Sequence, residues 1–263
     1  MKTNFEGKWA LVLGASSGFG EAACHRLSEA GLNIFGVHLD RKATQANADR
    51  IQAEIKSRGR EAIFFNVNAA DEAKRAEVLT VIREKAHGKV HVVMHSLAFG
   101  ALKLMASGTR EEMLTKSQIE MTLDVMATSL IFWVQDLMLA GCIAKNGRVF
   151  AMTSAGSSRV WPSYGAVSAA KAALESYCRQ LALELAPHGV TANAILAGVT
   201  DTPALRKIPG NDHMIATATA RNPFKRLTTP DDVAKALVAL SLPNCDFITG
   251  NTIRVDGGEN IVD

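Results

Sequence analysis

Short runs of apolar and β-branched residues alternate with helix-length amphipathic stretches along the whole 263-residue chain. This alternation restricts the fold more than any other feature. Strand and helix repeated end to end build a parallel sheet with helices on both faces. The strand-like runs are 9–13, 34–38, 62–66, 90–95, 148–153, 191–195 and 252–255. Helical patterns fill 19–30, 45–58, 71–85, 111–142 (read as two helices), 166–186 and 231–242. No linker, repeat or low-complexity stretch interrupts them. The expected architecture is therefore α/β: a single doubly wound Rossmann-type domain over 1–263, with about seven parallel strands. In such sheets ligands sit beyond the carboxyl ends of the strands, so chemistry is to be sought in the residues just after each strand.

Composition enters by exclusion. The formal charge is only +3, which argues against a dedicated nucleic-acid binder. No uninterrupted apolar run reaches the roughly 20 residues of a membrane span. The first eight residues are polar and mixed, unlike a secretion signal. Cys24, Cys142, Cys178 and Cys245 are widely scattered and lack metal-type spacing. The expectation is a cytoplasmic protein with reduced thiols, no metal, no membrane and no nucleic acid.

Between the first strand and the first helix lie Gly14, Ser16, Ser17, Gly18, Phe19 and Gly20. Glycines there permit a tight turn and a close approach of the backbone to a phosphate. The following helix start offers free N–H groups to a pyrophosphate.

Three residues separate the first two glycines and one separates the last two, a spacing that resembles the short-chain dehydrogenase/reductase family. The resemblance continues along nearly the whole chain: Asn66 and Val67 after the third strand, Ser96, Leu97 and Ala98 after the fourth, Ser154 after the fifth, Lys171 on the next long helix, Gly198, Val199, Thr200 and Thr202 after the sixth, and 256–258 at the last strand. It implies an NAD(P) cofactor. Asn66 and Val67 would meet its adenine, Ser96 to Ala98 would line it, Lys171 would hold the nicotinamide ribose, and 198–202 would reach the nicotinamide amide. NADH or NADPH is decided near the end of the second strand, where an acid suits a ribose diol and an arginine suits a 2′-phosphate. The residues present are His38, Asp40, Arg41 and Lys42. Arg41 and Lys42 lean the reading to NADPH, with NADH as the alternative.

The family's catalytic tyrosine stands four positions before the lysine. Here that position is Val167, and Tyr164 lies seven positions before Lys171. On a helix the shift moves the phenol about 4.5 Å along the axis. A phenol so displaced suits an oxygen further from the hydride acceptor, as when hydride goes to a carbon two bonds from the carbonyl carbon. Met126 stands where the family has an active-site asparagine, and His95 to Phe99 replace its usual segment after the fourth strand. Together these departures resemble the enoyl-acyl carrier protein reductase branch, form III in particular. The implied reaction is NAD(P)H-dependent reduction of the trans-2 double bond of an enoyl thioester in fatty acid biosynthesis. Tyr164 would be the donor, Lys171 would favour the ionised phenol, and Ser154 would assist or cap a turn.

Residues 199–226 are expected to form a mobile lid. Phe99, Met105, Met126, Trp161 and Met214 either line an acyl pocket or pack in the core. Arg206, Lys207, Lys225 and Arg226 either meet an acidic carrier protein or form a solvated face. The substrate carrier would be acyl carrier protein or coenzyme A. The resemblance implies a homotetramer built through the helices at 113–142 and 166–186. Two other readings stay open: a family member acting on a carbonyl, steroid or dienoyl-CoA, and a dinucleotide-binding sensor without turnover.

Overall fold

The computed structural model describes residues 5–262. Seven parallel strands form one sheet: β1 (Trp9–Leu13), β2 (Asn33–His38), β3 (Ala62–Asn66), β4 (Val90–His95), β5 (Ile143–Thr153), β6 (Thr191–Ala197) and β7 (Thr252–Val255). Their order is β3-β2-β1-β4-β5-β6-β7. Strand order reverses between β1 and β4, so a crevice opens there at the carboxyl edge.

The period of two along β1 explains the layering. Trp9, Leu11 and Leu13 enter one core cluster. Ala10 and Val12 enter the other. Both faces of the sheet are therefore covered, and the strands read as nearly continuous apolar runs. The helices α1 (Gly18–Glu29), α2 (Lys42–Ser57) and α8 (Pro230–Leu240) cover the second face, while α3 (Glu72–Ala86), α4 (Lys116–Leu123), α5 (Ser129–Leu139) and α6 (Gly165–Leu185) cover the first.

The structure departs from the sequence-based expectation in three places. The stretch 111–142 begins its helix only at Lys116, where Thr115 and Gln118 form a capping box. Between α4 and α5 the chain takes a π-helical turn over Asp124–Thr128, which carries Met126. The joined run Lys116–Leu139 is long and apolar enough, by length and composition, to cross a bilayer. The expectation that nothing reaches this length is corrected: a few polar residues split the apolar positions in sequence, yet the average over the window is high. Leu130, Trp133, Val134 and Leu137 from that run lie in the core. Finally, β5 starts at Ile143 rather than 148, with a register shift against β4 that lets the irregular start join the sheet. The segment after β6 contains a further helix, α7 (Asn211–Arg221).

Candidate active site

The glycine turn is built by close approaches of backbone to backbone. A side chain on Gly20 would strike the carbonyl of Gly14, and one on Gly14 would strike the carbonyl of Ser96. Only glycine lets β1, α1 and the β4 end meet this tightly. Ser17 is the N-cap of α1, and its side chain makes no capping hydrogen bond. The helix start is therefore open to an anion. The Thr202 side chain closes the turn from the far side, against Gly18.

At the end of β2 the geometry singles out Asp40. His38 Nδ1 lies 2.8 Å from Asp40 Oδ2, and the His38 side chain is buried. The Asp40 backbone N–H donates to Asn66 Oδ1, and Asn66 Nδ2 donates back to the Asp40 carbonyl, both at 2.9 Å. The Val67 N–H donates to the His38 carbonyl. Burial pushes the Asp40 carboxyl up, but the nearby hydroxyls of Ser16 and Thr44, with His38, outweigh it and hold the group below the ordinary aspartate range. Arg41 and Lys42 are exposed at the start of α2. A fixed anion, not a cationic clamp, thus stands beside the glycine turn.

At the catalytic end Tyr164 is the N-cap of α6, where its carbonyl accepts from the Ser168 N–H at 2.8 Å. Ser163 before it adopts a left-handed backbone at φ +63°. Such a conformation costs a non-glycine residue energy and holds the chain in a defined turn. The Tyr164 ring and Ser154 Oγ both face Gly156, whose missing Cβ would lie 2.6 Å from the ring and 3.2 Å from the hydroxyl. Ser154 Oγ is buried and, among the described residues, has no hydrogen-bond partner. It is near enough to Tyr164 to counter part of the effect of burial, which raises the phenol above its ordinary range. Burial is the main cause of that rise, so the phenol holds its proton more firmly than a free tyrosine.

Lys171 is buried, and its ammonium donates to the carbonyl of Met152 at 2.7 Å and of Leu97 at 3.5 Å. Burial brings its pKa down to about 8, and Glu175 opposes that. The lysine thus lies between the ends of β4 and β5. Val167, in the family's tyrosine position, is buried. It packs with Met126 around Gly100, so Met126 belongs to the core and not to an acyl pocket. Phe99 and Met105 are exposed. Trp161 donates to the Pro209 carbonyl and stacks on His213 of α7, which joins the rim of the site to the lid segment. Met214 is half-buried on the same helix.

The basic residues of the lid are mostly neutralised. Arg206 pairs with Asp201 and Asp212, and Arg226 with Asp232. Lys225 donates to the Ala220 carbonyl, while Lys207 is exposed. Sequence reasoning passed over two buried groups near the site. His95 lies 2.9 Å from Ser129 Oγ through Nε2, and burial, then the Lys171 charge, bring its pKa down to about 3. Glu259 accepts from the Val199 N–H at 3.0 Å. Glu259 belongs to no motif and His95 enters the sequence reading only within the 95–99 segment, so their partners emerge only from contacts between elements.

A nicotinamide dinucleotide fits this crevice. The glycine turn and the open start of α1 suit a pyrophosphate, Asp40 suits a ribose, and the Ser154 hydroxyl faces the Tyr164 phenol. The fold and site thus define a nicotinamide-dependent oxidoreductase of the doubly wound class. The profile described as enoyl-(acyl carrier protein) reductase matches residues 14–260. The chain belongs to that family, within the short-chain dehydrogenases/reductases. It is 29% identical to the 3-oxoacyl-[acyl-carrier-protein] reductase FabG of Escherichia coli, over 98% of this chain and 100% of that one. It is 31% identical to the enoyl-[acyl-carrier-protein] reductase [NADH] FabI of Aquifex aeolicus, over 68% of this chain and 65% of that one. A crystal structure of the Aquifex aeolicus enoyl-[acyl-carrier-protein] reductase (NADH) superposes with a TM-score of 0.85 at 24% identity, covering 98% of both chains. A short-chain dehydrogenase of Burkholderia cenocepacia in complex with NADP gives 0.82 at 26% identity, over 97% and 99%.

Proposed function

We propose that this protein reduces the trans-2 double bond of an enoyl thioester in fatty acid synthesis, on acyl carrier protein or coenzyme A. The observation that carries this reading is the place of the phenol. The chain has two tyrosines. Both pack against the first core, but Tyr164 is the one beside Ser154, which makes it the proton donor in this reading. It stands seven residues before Lys171, while a buried valine fills the position four before it.

The bound dinucleotide supplies the hydride. As negative charge grows on the thioester oxygen, the neutral Tyr164 phenol donates its hydrogen bond, then its proton, to that oxygen. Ser154 orients the phenol through its free hydroxyl. Lys171 holds the nicotinamide ribose, and its ammonium stabilises the charge developing above it. For the cofactor, the fixed Asp40 carboxylate favours a ribose diol and opposes a 2′-phosphate. Our reading is therefore NADH, the alternative to the NADPH suggested by Arg41 and Lys42.

Full-length similarity to the 3-oxoacyl reductase supports a second reading, ketone reduction. One experiment separates them. NADH and NADPH oxidation is followed with crotonyl-CoA and with acetoacetyl-CoA, for wild type, Tyr164→Phe and Val167→Tyr. Enoyl turnover that falls about 100-fold in Tyr164→Phe, without ketone turnover, is the expected result. Ketone turnover indifferent to Tyr164→Phe sinks the enoyl reading.

A further inference from the structure

Glu259 is a buried acid that the mechanism above does not use. It is 2% exposed and begins a short helical turn, Glu259–Ile261, after β7. Its Oε2 accepts from the Val199 N–H at 3.0 Å. A side chain on Gly198 would come within 2.6 Å of that oxygen and would also strike Thr228, so the glycine makes room for the carboxylate. On the other side, Arg221 Nη2 stands 3.8 Å from Glu259 Oε1. Arg221 is the last residue of α7, and its Nε is buried without a hydrogen-bond partner among the described residues. Burial pushes the Glu259 carboxyl up, and the Val199 N–H, followed by Arg221, opposes it.

One carboxylate therefore touches two things that must act together. The first is the peptide that opens the 198–202 loop, whose Thr202 closes over the glycine turn. The second is the end of the lid helix. A buried carboxylate is costly unless its partners are fixed, so its presence constrains both.

We propose that Glu259 is a positioning residue of the dinucleotide site: it orients the Gly198–Val199 peptide and, through Arg221, ties the nicotinamide loop to α7. The proposal rests on reading 198–202 as the nicotinamide loop. It does not depend on which thioester is reduced.

The test uses the full chain with NADH as probe, titrated by its fluorescence, beside hydrogen–deuterium exchange over 199–221. Glu259→Leu leaves the Val199 N–H without an acceptor, and NADH affinity is expected to fall about tenfold. Glu259→Gln keeps an acceptor oxygen, and affinity is expected to stay within about threefold of wild type. Glu259→Gln and Arg221→Met each remove the charge link, so both are expected to speed exchange in 211–221. Their combination is expected to be no faster than either alone, because they break the same contact.

NADH binding in a folded Glu259→Leu as tight as in wild type overturns the proposal. So does wild-type exchange in both Glu259→Gln and Arg221→Met. If Glu259→Leu loses its far-UV circular dichroism, the exchange data decide alone, since Asn222 still donates to the Asp256 carbonyl and anchors the end of α7 in the other two variants. A wild type that binds NADH and shows these exchange effects, yet reduces no enoyl thioester, upholds Glu259 and removes only the reductase reading.

Discussion

Lys171 and Tyr164 share a site but are governed by burial in opposite senses, because one is a cation and the other an acid. Burial holds Lys171 at about 8 against an ordinary 10.5. Between those values the unfolded chain carries the proton and the folded chain does not. The unfolded state binds more protons there, so this group makes stability rise with pH across the window. Any loss of dinucleotide affinity above pH 8 therefore reports the lost ammonium and not unfolding. We expect the Kd for NADH to climb from pH 8 upward, and Lys171→Met to bind weakly with that dependence flattened. A wild-type affinity constant over the same range would take Lys171 out of the cofactor site. At Asp40 the expectation is a preference for NADH that Asp40→Asn shifts toward NADPH by about tenfold, since one fixed charge near a phosphate is removed. Measured kcat/KM ratios for the two coenzymes check this.

The turns carry the site at the scale of the element. The start of α1 works only because Gly14 and Gly20 let two backbones touch. Gly20→Ala is expected to displace that turn and abolish dinucleotide binding in titration, even if the sheet still folds. At α6 the left-handed Ser163 sets where Tyr164 leaves the loop. Ser163→Val puts a β-branched residue in that region. It is expected to lower stability by about 1–2 kcal/mol and to depress kcat by moving the phenol. An unchanged kcat in that variant would show that the turn does not position Tyr164. The π-turn at Asp124–Thr128 carries Met126, which packs with Val167 around Gly100. Turns of this kind gather at functional sites because they re-aim a single side chain.

Across the whole molecule, the two cores on either side of one sheet hold the carboxyl edge in shape. Trp133 is the largest fully buried side chain. Its indole N–H donates to the Ala69 carbonyl at 2.8 Å, tying α5 to the loop after β3. Trp133→Ala is expected to cost about 3–5 kcal/mol, read from urea unfolding, while Tyr164→Phe leaves the unfolding midpoint nearly unchanged. Loss of stability in Trp133→Ala well below that range would mean that the first core can collapse around the gap.

The continuous apolar runs such as Trp9 to Leu13, alternating with helix-length stretches, determined the parallel sheet, because a strand covered on both faces must be apolar on both. The glycine spacing determined the cofactor class, since no other residue fits where backbone meets backbone. The shift from Val167 to Tyr164 was equally legible, being a matter of counting residues. Tertiary structure alone decided the rest. That the Asp40 side chain reaches Ser16 of the glycine turn depends on His38 and Asn66, which come from two strands. That the Tyr164 phenol is raised above its ordinary range depends on how the surrounding chain buries it. That Glu259 reaches Val199 sixty positions away follows from contacts between segments distant in sequence. Local patterns carry no record of those contacts, because they arise only when separate elements pack against one another.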